Sequence, residues 1–184
     1  MIRRLVIATA VLIGVVAVVP AVPAGASSPV EAAPYCGITW GSGAKTAGPS
    51  GSASHLVNVR VGQHPCFDRM VFDLDAAASG YSVRYVTEVR TDGQGQVIPL
   101  AGGAKLEIIV RAPAVDSAGN ATYPAVVPRR LPGVDLAGFR TFRDAKFGGT
   151  FEGQTTIGLG VRARLPFRVV KLGNRIVLDV AHRW

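Results

Sequence analysis

The chain lacks the residue patterns that mark the common catalytic and metal-binding sites. It contains no G-x-S-x-G nucleophile elbow, no H-E-x-x-H motif and no C-x-x-C pair. Residues 158–163, GLGVRA, share part of the dinucleotide-binding pattern, but that pattern must lead into a helix and Pro166 follows it closely. The sequence therefore predicts a protein without catalysis, cofactor or bound metal.

Acidic residues are also few. The 184 residues include 12 Asp and Glu against 20 Lys and Arg, which gives a formal net charge of +8. The basic residues are scattered and do not form a tail. Such an excess favours anionic partners, and the alternative is that scattered charge serves solubility alone.

The N terminus has the three parts of a secretory signal peptide. Arg3 and Arg4 precede an apolar run at residues 5–19, and small residues occupy positions 24–26. The run is shorter than the roughly 20 residues of a spanning helix. We therefore predict cleavage after residue 26, a secreted or extracytoplasmic mature chain, and no stable membrane insertion. Expected partners are then a wall polymer, an acidic glycan or lipid headgroups, and no nucleic acid.

Cysteine is scarce, with Cys36 and Cys66 as the two in the chain. An isolated pair in an oxidising compartment most often forms a disulfide, so we predict a bond between them. His64 and Asp68 flank Cys66 and could complete a metal site, but the disulfide would consume the sulfur ligand. The sequence therefore favours a structural bond over a metal centre.

Composition divides the rest of the chain into two parts. Residues 27–54 are rich in Gly, Ser, Ala and Pro, which predicts a linker with one anchored island at residues 35–40. Trp40 is expected to pack near the disulfide. Residues 55–184 are enough for one domain.

From residue 55 onward, apolar and polar residues alternate with a period of two, the spacing of half-buried strands. The apolar members of three such stretches are Val57, Val59 and Val61; Met70, Phe72 and Leu74; and Tyr81, Val83 and Tyr85. Further strands are predicted over residues 96–100, 104–111, 139–147, 151–161, 167–172 and 175–181. Turn-forming pairs lie between the runs, at residues 92–93, 102–103, 148–149 and 173–174.

No helix of any length can be placed among these runs. Eight or nine short strands predict an all-β fold, either an antiparallel β-sandwich or a partly closed barrel. Met70, Phe72 and Leu74 are expected in its core. Residues 112–133 hold four prolines and are predicted to form a structured surface loop.

Several of these strand segments resemble the AMIN-like domain of exported actinobacterial proteins. The resemblance covers about residues 55–184 and is carried by the order of FDRMVF at residues 67–72, YSVRY at 81–85, FEG at 151–153 leading into GLGV at 158–161, PFRV at 166–169, and RIVLDV at 175–180. The related AMIN domain is a β-sandwich that binds peptidoglycan and directs amidases and secretion proteins to the cell envelope. The resemblance implies the same fold and a binding role without a catalytic motif.

A basic and aromatic surface is the candidate binding site. Arg140 and Lys146 share parity with Phe142 on one predicted strand, while Arg143 lies on the other face. Guanidinium groups suit carboxylates and phosphates, and aromatic faces suit sugar rings. The candidate binding residues are Arg84, Tyr123, Arg140, Arg143, Lys146, Arg162 and Arg164. The alternative is that these arginines only solvate an outer sheet surface.

The remaining ionisable residues are expected to be structural. His55 and His182 are predicted to be ordinary surface residues, and Asp68, beside Arg69, is predicted to form a structural ion pair in preference to acting as a general acid. Asp73 and Asp75 are two apart, so they could meet one ligand, but an outward strand face carries such residues routinely.

These observations predict a secreted, non-catalytic binding domain at the cell envelope, with peptidoglycan or another anionic cell-wall polymer as its partner. The alternative is a secreted inhibitor of an extracellular enzyme, in which the Pro-rich loop at residues 112–133 is the inserted element.

Overall fold

The structure, a computed structural model of the chain, describes residues 34–48 and 53–184. Within these ranges the chain forms strands and one 3-10 turn, Tyr35–Gly37, and it contains no α-helix. The strands are β1 Lys45–Ala47, β2 Leu56–Gln63, β3 Phe67–Leu74, β4 Tyr81–Val86, β5 Val89–Arg90, β6 Val97–Ile98, β7 Ala104–Val110, β8 Phe142–Phe151, β9 Gln154–Val161, β10 Phe167–Leu172 and β11 Arg175–Ala181. The prediction of an all-β fold is confirmed.

Two antiparallel sheets make up a sandwich. One has five strands in the order β1-β4-β7-β9-β8, and the other has four in the order β10-β11-β3-β2. Apolar side chains from both sheets form one core, as expected when successive side chains point to opposite faces of a strand. In the described residues the sheets do not close into a barrel, so the sandwich is the correct alternative of the two predicted.

The predicted core strand, β3, buries the expected side chains. Met70 and Phe72 are fully buried and Leu74 is 1 % exposed. The expected alternation is wrong at Val57, which is 37 % exposed. A bulge between Leu56 and Asn58 shifts the register there, so that Val57 no longer faces the core.

Three of the four predicted turn pairs, at residues 92–93, 102–103 and 173–174, lie between strands. The prediction of a turn at residues 148–149 is wrong, because both glycines lie within β8 and Gly149 follows a register shift. The hairpin between β8 and β9 turns instead at Glu152 and Gly153, which both have positive φ. Gly153 adopts that conformation without steric strain, whereas Glu152 is a non-glycine residue in the left-handed region.

A short hairpin of β5 and β6 packs on the outer face of the five-stranded sheet. Its small apolar cluster, Val89, Ile98 and Leu100, is buried. A Cβ atom added to Gly158 would lie 2.8 Å from Leu100 Cδ1, and one added to Gly160 would collide with the carbonyl oxygen of Ala101. The GLG sequence in β9 therefore allows this hairpin to approach the sheet, in agreement with a packing role for the two glycines.

The predicted disulfide is present. Cys36 and Cys66 are joined, with their Cα atoms 6.4 Å apart. The Trp40 ring lies 6.0 Å from that of Phe67, the residue after Cys66, so Trp40 packs near the disulfide as expected. Part of the segment predicted as a linker is a strand, because β1 pairs with β4.

The predicted signal peptide, residues 1–26, lies outside the described residues. No helix in the described ranges has the length and apolar character needed to cross a bilayer.

The Pro-rich loop at residues 112–133 lies against the edge of β8. The Leu131 amide donates to the Ala145 carbonyl at 3.2 Å, and the Phe147 amide donates to the Arg129 carbonyl at 3.0 Å. Tyr123 and Leu131 are each 3 % exposed. The loop is therefore structured, as predicted, and it covers an edge that would otherwise present unpaired backbone groups.

Candidate functional site

The basic residues singled out on β4 and β8 are engaged in bonds within the fold. Arg84 Nε donates to Glu107 Oε2 at 2.7 Å on the neighbouring strand. Lys146 Nζ donates to the Pro99 carbonyl at 2.6 Å and thereby ties the loop after β6 to the five-stranded sheet. Arg140 is exposed just before β8. Arg143 donates to three backbone carbonyls around it.

Tyr123 belongs to the core. Its side chain packs edge-on against Phe147, with ring centroids 6.5 Å apart, and its hydroxyl donates to the Pro132 carbonyl at 3.0 Å. Burial raises the pKa of the Tyr123 hydroxyl. Tyr123 therefore holds the Pro-rich loop and contributes nothing to an exposed face.

The last two candidate residues, Arg162 and Arg164, follow β9. Arg162 donates to the His182 carbonyl at 2.6 Å, and its amide donates to the carbonyl of Thr141 at 2.8 Å. The Arg164 guanidinium lies 4.8 Å from the centre of the Tyr85 ring. These contacts divide the candidate residues among several surroundings.

A different set of arginines lies together on the outer face of the four-stranded sheet. Strand register places them in rows that cross the sheet. One row consists of Arg168, Asp179, Arg69 and Gly62; the next of Val170, Val177, Val71 and Arg60; and the third of Leu172, Arg175, Asp73 and Asn58. We call this surface the arginine face. Its first and third rows are mainly charged or polar, and its middle row consists of three valines and ends in Arg60.

The first row is organised by a buried carboxylate. Asp179 is fully buried. Arg69 binds it with two bonds, Nε to Oδ1 at 2.7 Å and NH2 to Oδ2 at 2.9 Å, and Arg168 Nε donates to Oδ2 at 2.8 Å. The hydrogen bond to Asp179 raises the pKa of Arg69. Two cations share one anion, so this cluster retains a positive charge.

The third row repeats the arrangement closer to solvent. Arg60 reaches diagonally to Asp73, with Nε 2.7 Å from Oδ2 and NH2 3.0 Å from Oδ1, and Arg175 Nε lies 3.4 Å from Oδ1. The hydrogen bond from Arg60 lowers the pKa of the Asp73 carboxyl. The face thus carries four guanidiniums against two carboxylates, a net charge of +2.

Aromatic rings border the first row. Phe67 stacks on His64 with centroids 4.5 Å apart, and Trp40 adjoins it. The guanidiniums of Arg69 and Arg168 lie 5.2 Å and 5.5 Å from the Phe67 centroid, within the range of cation–π attraction. This border is held in place by the disulfide next to Phe67.

Between the charged rows runs a groove of about 290 Å³. Its apolar floor includes Val71 and Val177, and Arg69 lies on one side with Arg60 and Arg175 on the other. Gly62 leaves the groove open beside Arg69, because a Cβ added there would meet no atom within 4 Å.

An arginine has five N–H donors, and the bonds described use only one or two of them on each residue of the face. The remaining donors can bind a carboxylate or a phosphate, and the apolar floor and aromatic border can contact the body of a sugar or peptide. Among the described residues, no group of three or more His, Cys, Asp or Glu side chains could hold a metal ion.

The residue pattern along single strands does not reveal the arginine face. The sequence does show that these arginines occupy outward positions, because they lie on strands that were predicted correctly. The order of the strands was needed to show that Arg168, Arg69 and Arg60 are neighbours.

The structure corrects the expectation for His182. This residue is 9 % exposed, and its Nε2 lies 3.0 Å from Asp68 Oδ1. Asp68 is fully buried and accepts hydrogen bonds from the amides of Thr141 and Phe142. Asp68 therefore binds His182 and two backbone amides, and the expected pair with Arg69 is wrong, because Arg69 binds Asp179.

The other expected surface groups form separate local pairs. His55 Nδ1 lies 2.7 Å from Asp75 Oδ2 near the surface, whereas Asp73 binds Arg60. Asp73 and Asp75 therefore have different partners and do not converge on one ligand.

The chain matches a known protein family. No curated protein and no solved structure matches the chain. The family model described as the AMIN-like domain matches residues 54–182, a range that includes all strands from β2 to β11. The chain therefore belongs to the AMIN-like domain family.

Proposed function

We propose that this protein is an exported, non-catalytic binding protein of the cell envelope that holds peptidoglycan or another anionic wall polymer on its arginine face. The observation that carries this proposal is the pair of carboxylates, Asp179 and Asp73, that are each shared by two arginines around one apolar groove. This arrangement leaves positive charge in a fixed position.

Membership of the AMIN-like family supports a binding role related to peptidoglycan in general and an extracytoplasmic location. The signal sequence at residues 1–26 and the disulfide agree with export. Intact-mass analysis of exported protein should show loss of the first 26 residues and no alkylation without reductant. A retained leader or a labelled thiol would contradict export of the oxidised form.

The chemistry of the groove matches the parts of a wall polymer. Peptide stems carry free carboxylates and anionic polymers carry phosphates, which guanidinium groups bind in a bidentate manner. Sugar rings present apolar faces that suit His64, which lines the groove, and Trp40, which adjoins the first row.

Sedimentation with purified wall sacculi tests the proposal. Arg168→Gln with Arg175→Gln removes two cations, while Asp179 keeps its two bonds from Arg69 and Asp73 keeps those from Arg60. Loss of a charge-assisted hydrogen bond costs about 1.5–3 kcal/mol, so the double variant should bind sacculi at least about tenfold more weakly. Loss of the Arg168 bond to Asp179 should lower the melting temperature by several degrees, and the domain should remain folded at the assay temperature.

The matched control is Arg129→Gln with Arg140→Gln, which removes the same charge from exposed positions elsewhere. It should bind sacculi like the parent. Binding should also fall with added salt, because the Debye length shrinks from about 10 Å at 0.1 M to about 3 Å at 1 M. An equal loss of sacculus binding in both double variants would show that binding depends on the net charge of the protein and not on the arginine face. A parent protein that ignores sacculi at low salt would overturn the proposal and favour the inhibitor alternative.

A further inference from the structure

A second cavity of about 290 Å³ lies on the other sheet, between edge strand β8 and residues 130–137. It has two arginines, two aspartates and a small apolar wall. The lining residues are Arg130, Val134, Asp135, Leu136, Ala137, Arg143, Asp144 and Ala145. The arginine face contributes none of them, so the two sites are separate.

One cation of this cavity is fixed by the backbone. Arg143 NH1 donates to the carbonyls of Phe139 at 2.9 Å and Phe142 at 2.8 Å, and NH2 donates to that of Arg140 at 3.1 Å. These bonds hold the guanidinium in place and leave further N–H groups for an anion. Such a preorganised donor loses little conformational entropy when it binds.

One carboxylate oxygen of the cavity accepts no hydrogen bond within the described part of the chain, whereas the other oxygen of the same group accepts the Ala101 amide at 3.4 Å. The Asp144 side chain is 6 % exposed, and its Oδ1 accepts no hydrogen bond from the described residues. The Arg130 Nε lies 3.6 Å from this oxygen, and Lys146 Nζ lies 3.6 Å from Oδ2. A buried carboxylate oxygen without a donor is unfavourable, so this position favours a ligand that brings an N–H group.

The second cation can make room for such a ligand. The Arg130 side chain is 80 % exposed, so it can move away from Asp144 and remain solvated. Asp135, at the mouth of the cavity, uses Oδ1 to accept the Ala137 amide at 2.9 Å and has its second oxygen available.

We infer that this cavity binds a small zwitterion with an ammonium and a carboxylate on one carbon, the chemistry of an α-amino acid. The ammonium binds Asp144 Oδ1 and Asp135, the carboxylate binds Arg130 and Arg143, and a small side chain contacts Val134. An anion alone would leave Asp144 Oδ1 without a donor, and a cation alone would face two guanidiniums. The volume is below that of sites for drug-sized ligands and suits an amino acid.

Calorimetric titration of the mature protein tests this inference with defined probes. Both enantiomers of alanine and meso-diaminopimelate should bind. N-acetylalanine lacks the ammonium and alaninamide lacks the carboxylate, so each should bind about tenfold to a hundredfold more weakly than alanine. Equal binding of alanine and its two blocked derivatives would overturn the inference, as would absence of binding by alanine and meso-diaminopimelate at millimolar concentration.

The ligand could be a free amino acid or the zwitterionic end of a wall peptide, and a tripeptide ending in meso-diaminopimelate separates the two. Tighter binding of free alanine supports the first source, and tighter binding of the tripeptide supports the second.

Two variants locate the site. Arg130→Gln, at an exposed position, and Asp144→Asn, which keeps the shape of the side chain, should each weaken alanine binding about tenfold or more. Arg129→Gln changes the neighbouring arginine outside the cavity and should bind alanine like the parent. If Arg130→Gln also binds like the parent, the inference is wrong. Arg168→Gln with Arg175→Gln lies outside this cavity and should bind alanine like the parent, so failure here is distinguishable from failure of the arginine face.

Discussion

Replacing Asp179 by alanine removes the carboxylate around which the first row of the arginine face is built. The variant leaves Arg69 and Arg168 without their shared acceptor and removes three charge-assisted hydrogen bonds. Asp179 is fully buried, whereas the two arginine side chains are 29 % and 32 % exposed. The arginines can therefore recover part of their hydration in the variant.

The size of the loss follows from these exposures. Three charge-assisted bonds at about 1.5–3 kcal/mol each would sum to about 5–9 kcal/mol. Hydration of the released guanidiniums and removal of a buried charge reduce this figure, so we expect about 3 kcal/mol, the lower end for a broken buried ion pair. That is a large part of the total stability of a domain, about 5–15 kcal/mol.

Thermal unfolding followed by circular dichroism measures this loss. For a domain of about 150 residues, 3 kcal/mol corresponds to a fall in Tm of about 6–12 °C. Glu88→Ala is the matched control, because it breaks an exposed pair with Arg90, and such pairs contribute about 0–1 kcal/mol. A Tm for Asp179→Ala within about 2 °C of the parent would refute the view that this carboxylate organises the face.

Three further predictions address the core, the groove and pH. Phe72→Ala removes a fully buried ring and should destabilise the domain by about 3–5 kcal/mol in chemical denaturation; an unchanged midpoint would contradict its place in the core. Gly62→Phe adds a ring where a Cβ meets no atom within 4 Å, so it should keep the parent Tm but bind sacculi more weakly; undiminished binding would exclude the groove. The pKa of Asp73 is lowered from 3.8, so its stabilising contribution is complete above that value and is lost as pH falls through the lower folded-state pKa. Asp73→Asn should therefore flatten the fall in Tm below about pH 4; a parallel decline in both proteins would show that other groups dominate.

The strand pattern of this fold was largely readable from sequence because it depends on local alternation. The residue ranges predicted for the last two strands coincide with β10 and β11. The failures have local physical causes. A bulge exposes Val57, and β1 forms within a Gly-rich segment because β4 offers it an edge. The alternation of apolar and polar residues indicates neither the position of a bulge nor the presence of a free strand edge.

The binding surface was harder to predict because it depends on which strands are neighbours. Arg69 and Asp179 are 110 positions apart in sequence, and only the pairing of β3 with β11 brings them together. Among the sequence candidates, Lys146 on β8 binds the Pro99 carbonyl, and Tyr123 in the Pro-rich loop is buried. The position of a residue along a strand indicates the sheet face on which its side chain lies. It does not indicate which other segments pack over that face.

The two parts of the arginine face depend on different links in the chain. Its charged rows, with Arg69 and Asp179, are assembled by the pairing of β3 with β11. Its aromatic border needs Trp40, which lies in the segment that Cys36 joins to Cys66. The bridge between Gly41 and Phe167 fixes the residue after Trp40, so the disulfide and this bridge secure the two ends of a short segment that carries the ring, and reduction of the disulfide should loosen the aromatic border while the charged rows remain.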